Sequence, residues 1–105
     1  MKAEADVLNE LVRRIVAEVH PLRVVLFGSR ARGEARADSD VDVLVLMPEG
    51  THRRHTAESL YQNLRGVGVS VDLIVATPSD LERHKAKPGL VYGHILREGR
   101  TLYAA

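Results

Sequence analysis

VVLFGSRARGEARADSDVDVLVLM, from Val24 to Met47, is the stretch on which the reading of this chain turns. An apolar run ends in Gly-Ser, a polar segment rich in arginine follows, and a second apolar run opens on two aspartates. Periodicity predicts a short buried strand over Val24 to Phe27, a turn or short helix over Ser29 to Arg36, and a second strand over Asp40 to Met47. Side chains alternate along a strand, so Asp40 and Asp42 share a face with Leu44 and Leu46, while Val41, Val43 and Val45 take the other. The two carboxylates point the same way, roughly 7 Å apart at the backbone.

Like charges side by side at the start of an apolar strand repel each other and resist burial. A divalent cation would compensate them, since hard cations take carboxylate oxygens and keep other positions for water and phosphate. An Asp-x-Asp pair also commonly does no more than mark a solvated strand end. The Gly-Ser upstream favours the first reading. A strand handing over to a helix or turn at Gly28-Ser29 presents free backbone N–H groups to an anion; Gly28 permits close approach, and Ser29 can cap the helix or donate to the anion itself.

Outward from this stretch, Ala3 to Val19 reads as an amphipathic helix. Its apolar stripe is Val7, Leu8, Leu11, Val12, Ile15, Val16 and Val19, with Glu10, Arg13, Arg14 and Glu18 opposite, and Pro21 marks its end. Thr51 to Leu64 is a second helix after the Pro48-Glu49-Gly50 turn, with Ala57, Leu60, Tyr61 and Leu64 facing the core and His52 to His55 read as a solvated first turn. Val67 to Ala76 is a third strand, in which Asp72 is the one charge. A buried carboxylate needs a partner. If this strand lies beside the second, Asp72 faces Asp40 and Asp42 and completes a three-carboxylate cluster; the alternative is an ion pair with an arginine such as Arg23. Thr77-Pro78-Ser79-Asp80 begins a further helical segment, with Ser79 and Glu82 at capping-box spacing, Leu81 to Lys87 reads as a charged surface or substrate-proximal loop, and a short helix through Leu90 to Leu96, closed by Gly99, leads to an edge strand over Arg100 to Tyr103.

The chain of 105 residues, 45% hydrophobic, reads as one domain, 1–105, with a single core. Fifteen basic against fourteen acidic residues give a formal charge of +1, which argues against direct nucleic-acid binding driven by a global field. There are no cysteines, hence neither disulfides nor thiolate metal sites. With neither a signal-peptide pattern nor a membrane-length apolar run, the expectation is a soluble, cytoplasmic protein.

Gly28-Ser29, the ten residues Arg30 to Ser39, then Asp40-Val41-Asp42 resemble the GS-x10-D-x-D signature of the minimal nucleotidyltransferases, the smallest members of the superfamily that includes DNA polymerase beta. The embedded Ala31-Arg32-Gly33 and Ser39 fit as well. The resemblance implies an α/β (α+β) nucleotidyltransferase fold: a mixed sheet of about four strands, helices mostly on one face, the other open for the aspartates and their ligand. It further implies Mg²⁺, as two ions, held by Asp40, Asp42 and Asp72, with Gly28 and Ser29 gripping the phosphates of a nucleoside triphosphate, taken as ATP. Asp72 is the candidate general base, and Arg32 either contacts phosphate or pairs with Asp38 or Asp40. Small proteins of this kind are found with a HEPN-domain protein in a separate chain, as the antitoxin of a toxin–antitoxin pair, and nucleotidylate it or bind it. A non-catalytic antitoxin acting by complex formation is the rival from another class, and metal-dependent phosphate hydrolysis would use the same carboxylates.

Overall fold

A computed structural model describes residues 4–36, 39–87 and 91–105. In chain order the elements are α1 (Glu4–Val19), β1 (Arg23–Phe27), a 3₁₀ turn (Gly28–Arg30), β2 (Val41–Leu46), α2 (Arg53–Asn63), β3 (Val71–Ala76), α3 (Pro78–His84), α4 (Val91–Glu98) and β4 (Arg100–Ala104). They form one four-stranded sheet in the order β3-β2-β1-β4. β1 runs antiparallel to both β2 and β4, and β2 runs parallel to β3, so the sheet is mixed as expected. A parallel pair needs a crossover, and α2 supplies it between β2 and β3.

Alternation along the strands sorts the apolar residues onto two faces. Val24, Leu26, Val41, Val43 and Val45 pack with Leu8, Leu11 and Ile15 of α1 and with Leu60 and Leu64 at the end of α2. The two long helices therefore lie on one face. On the other face, Val25, Leu44 and Leu46 pack with Ala76, Leu81 of α3 and Ile95 of α4. The two short helices cover that face over Leu44 and Leu46, while Asp42 is half-buried and Asp40 and Asp72 are exposed. Gly99 seats α4 on this face: a Cβ there would stand 2.6 Å from Val25 Cγ1 and 2.4 Å from the Ile95 carbonyl oxygen.

Several boundaries differ from the sequence reading for local reasons. The third strand starts at Val71 rather than Val67, because Gly66 and Gly68 carry φ values of 76° and 102°, turn geometry that a strand does not accept. Val67 is nonetheless buried in the core from its loop position. The segment expected as a loop from Leu81 is the body of α3, whose cap is Thr77 and not Ser79. Thr77 Oγ1 accepts from the Asp80 N–H while Asp80 Oδ2 accepts from the Thr77 N–H, and Pro78 occupies the first turn. Ser79 instead donates its N–H and hydroxyl to Glu49. Arg14, expected on the solvent side of α1, is half-buried and donates to the carbonyls of Asn63 and Arg65, tying α1 to the end of α2.

Among the described residues no helix is long and apolar enough to cross a membrane.

Candidate active site

The parallel register of β2 and β3 sets Asp42 directly beside Asp72, and the antiparallel register of β1 sets Phe27 across from Asp42. The turn after β1 thus arrives at the Asp42 carboxylate. Gly28 has φ of 74°, and a Cβ built on it would lie 2.2 Å from Asp42 Oδ2. The left-handed backbone favours glycine, and a side chain there would have to displace the Asp42 carboxylate. Burial raises the Asp42 carboxyl above its ordinary 3.8, and the charges of Asp72 and then Asp40 raise it further, against the opposing pull of Arg30 and Arg32. The aspartates expected to share a face therefore feel one another, with Asp42 at the centre.

Asp72 is exposed on the edge strand β3 and needs no buried counter-ion, contrary to the expectation drawn from its apolar neighbours. Among the described residues no cation lies within ion-pair reach of it, and Arg23, the alternative partner, donates to Thr101 Oγ1 at 2.7 Å. What it does have is Tyr61, whose hydroxyl donates to Asp72 Oδ1 at 3.4 Å and accepts from the Leu73 N–H at 2.9 Å. Helical periodicity placed Tyr61 on the core stripe of α2; it is 43% exposed, and its hydroxyl occupies the open edge of β3. No pattern in the sequence signals that contact, because it depends on where the crossover helix ends.

As placed, no three His, Asp or Glu side chains among the described residues converge closely enough to hold a metal ion. The donor set still fits a hard divalent cation. Asp42 is desolvated and pressed by two like charges that such a cation would neutralise, and exposed side chains such as Asp40 and Asp72 change rotamer on the picosecond to nanosecond scale. The rings of His52 and His55 stack at 3.8 Å, and His52 Nδ1 caps α2 by accepting from the His55 N–H.

Ser29 sits inside the 3₁₀ turn, where the capping position is Phe27 and no side chain caps, so the expected N-cap role is not found. In a 3₁₀ turn capped at Phe27 the third N–H, that of Arg30, closes the first i→i+3 bond, so the Ser29 N–H is left without an acceptor inside the turn. Arg30 is the residue that the sequence reading passed over. Its side chain is 10% exposed, its Nη1 pairs with Glu4 and its Nη2 donates to the Ser39 carbonyl, which holds the two ends of the Gly28 to Ser39 loop together. The available signal was an arginine immediately after Gly-Ser, inside a turn too short to leave it solvated. Arg32 pairs with Glu34 at 3.1 Å and Glu98 at 3.8 Å, not with Asp40; Asp38 lies outside the described residues. Beside it a cleft of about 310 Å³ opens between Phe27, Gly28 and Arg32 on one wall and Val91, His94 and Glu98 of α4 on the other.

The family model of the nucleotidyltransferase domain matches residues 8–98. A solved minimal nucleotidyltransferase is 33% identical over 94% of this chain and 98% of its own, with a TM-score of 0.60. The chain belongs to the minimal nucleotidyltransferase family. Three more distant structures share the fold of this minimal nucleotidyltransferase. A nucleotidyltransferase from Sulfolobus solfataricus is 22% identical over 93% of this chain and 78% of that one, TM-score 0.65. A toxin–antitoxin structure with AMP-PNP is 20% identical over 93% and 73%, TM-score 0.70. A form of the toxin–antitoxin MntA-HpeT with two aspartates, two positions apart, changed to glutamate is 18% identical over 93% and 73%, TM-score 0.67. Among curated proteins the sequence finds no match.

Proposed function

We propose that this minimal nucleotidyltransferase moves a nucleoside monophosphate from a nucleoside triphosphate, ATP, to a hydroxyl on a HEPN-domain protein in a separate chain, as the antitoxin of a toxin–antitoxin pair in the cytoplasm. The observation that carries the reading is Asp42, half-buried against Gly28 and beside Asp72 in register, its carboxyl raised by burial and by its acidic neighbours. Such a carboxylate is costly to the fold and useful to a cation. The fold neighbours add support: one is a toxin–antitoxin with AMP-PNP, and another alters a pair of aspartates spaced as Asp40 and Asp42 are.

In this reading Asp40, Asp42 and Asp72 hold Mg²⁺ as two ions. When bound, the metal neutralises charge on the phosphates and on the attacking and leaving oxygens. The protein's own share is positioning. The N–H of Ser29 points at a phosphate oxygen, Gly28 admits the phosphates close to the backbone, and the Ser29 hydroxyl and Arg32 donate to them. Asp72 takes the proton of the acceptor hydroxyl as its oxygen bonds to the α-phosphorus. The bond from that phosphorus to the bridging oxygen breaks, and pyrophosphate leaves. Tyr61, donating to Oδ1 of Asp72, holds that carboxylate toward the acceptor side.

The test is incubation with Mg²⁺, ATP labelled at the α-phosphate, and the purified HEPN-domain partner. Label on the partner, lost with Asp42→Asn, is the expected result. A stable complex without label would make the chain a non-catalytic antitoxin, and release of labelled nucleotide without transfer would make it a hydrolase.

A further inference from the structure

The cleft beside Arg32 lies on a definite side of the carboxylates. In the order β3-β2-β1-β4, Asp72 stands on the β3 side of Asp42, and the Gly28 turn and α4 stand on the β1 side. Phosphoryl displacement places the attacking and leaving oxygens on opposite sides of the phosphorus. If the acceptor enters beside Asp72, the leaving pyrophosphate extends past Gly28 toward α4. The cleft there is lined by two donors, Arg32 and His94, and by one carboxylate, Glu98.

Glu98 stands 3.8 Å from Arg32 Nη1, with both side chains nearly half exposed, at 48% and 44%. An exposed ion pair of that length contributes little, whereas a phosphate can take a guanidinium through two parallel hydrogen bonds. A carboxylate already on the arginine of an open cleft therefore marks where an anion goes and yields to a stronger one. His94, on the opposite wall and one turn before Glu98, is exposed and carries an N–H donor.

We propose that this cleft takes the terminal phosphates of the nucleoside triphosphate, with His94 as the positioning residue that engages them and Glu98 as an internal carboxylate that yields Arg32 to them. The inference rests on the nucleotidyl-transfer reading and deepens it. It assigns to α4 a part in selecting triphosphate over monophosphate, and it makes Glu98 a brake on binding.

Competition against a fluorescent ATP analogue, with Mg²⁺ present, measures ATP, inorganic tripolyphosphate and AMP on the full chain. His94→Ala should weaken ATP and tripolyphosphate about fivefold and leave AMP unchanged, the loss of one exposed hydrogen bond to a charged group. Glu98→Gln should strengthen tripolyphosphate binding. His94 and Glu98 are exposed, so both variants are expected to fold, and a circular-dichroism melt checks it. Unchanged tripolyphosphate affinity in His94→Ala, or an equal loss for AMP, overturns the inference about α4 while nucleotide binding stands; tripolyphosphate affinity that fails to rise in Glu98→Gln overturns the role of Glu98. A parent chain that binds neither ATP nor tripolyphosphate defeats the nucleotide reading itself, and this inference with it.

Discussion

Asp42 is held where its charge is least welcome. Three sources disfavour ionisation, burial first, then Asp72, then Asp40, and Arg30 and Arg32 offset them only in part. A carboxyl whose folded pKa lies above its unfolded value binds more protons folded than unfolded in the window between the two. Stability therefore falls as pH rises through that window, and the loss is complete above the folded value. Asp72→Asn removes one of the three sources while keeping an acceptor for the Tyr61 hydroxyl. Without metal, at pH 7, the variant should gain ~0.5 kcal/mol, a modest figure because Asp72 is exposed and screened. Thermal melts in EDTA would show a rise of about 2–4 °C, shrinking as pH falls through the raised Asp42 value, where the charge that Asp72 opposes is lost. A loss of roughly 3 kcal/mol would instead mark Asp72 as half of a structural ion pair. At this scale the sequence was informative about Gly28, Asp40 and Asp42, because alternation and spacing are local. It could not show that Asp72 is exposed, since an apolar run reads alike at the centre and at the edge of a sheet. Nor could it show Glu98, 66 positions further along the chain, standing beside Arg32.

Among the elements, α3 shows where a local rule was right in kind and wrong in place. Ser79 with Glu82 and Thr77 with Asp80 both have capping-box spacing, and the structure uses the second. The reason is tertiary. Arg53, at the start of α2, reaches Asp80 Oδ1 at 2.7 Å, and Glu49 in the preceding turn engages Ser79. Burial would raise the Asp80 carboxyl, but the bonds from the Thr77 N–H and hydroxyl and from Arg53 outweigh it and hold it below 3.8. The sign is therefore opposite to that at Asp42. This contribution is complete above the unfolded pKa and is lost as pH falls through the folded one. Asp80→Ala should cost about 2 kcal/mol at pH 7, a cap plus a charge-assisted bond, and not more, because the Arg53 left behind is 55% exposed. Urea melts at pH 7 and pH 3 should show that difference narrowing at the lower pH; an equal difference at both would mean that packing, not charge, holds α3.

At the scale of the whole molecule, the sheet is covered on one face by α1 and α2 and on the other only over Leu44 and Leu46, which leaves the carboxylates at the uncovered end. A fold that spends stability on crowded carboxylates recovers it when a cation and a polyphosphate arrive, so ligand binding and stability must be linked. With Mg²⁺ and α,β-methylene ATP, in which the scissile bridge cannot break, at about 100 times Kd, the linkage relation gives about 2.7 kcal/mol. For a chain of this size that is a rise in Tm of at least about 10 °C. Neither Mg²⁺ nor the analogue alone should reach it, because each leaves one charge set uncompensated. Asp42→Asn should abolish the shift while melting no lower than the parent in EDTA, since it removes the carboxyl that opposes folding. A shift of the same size in Asp42→Asn would place the nucleotide somewhere other than the Gly28 turn. The open end of the sheet would then be left as a surface for a protein partner alone.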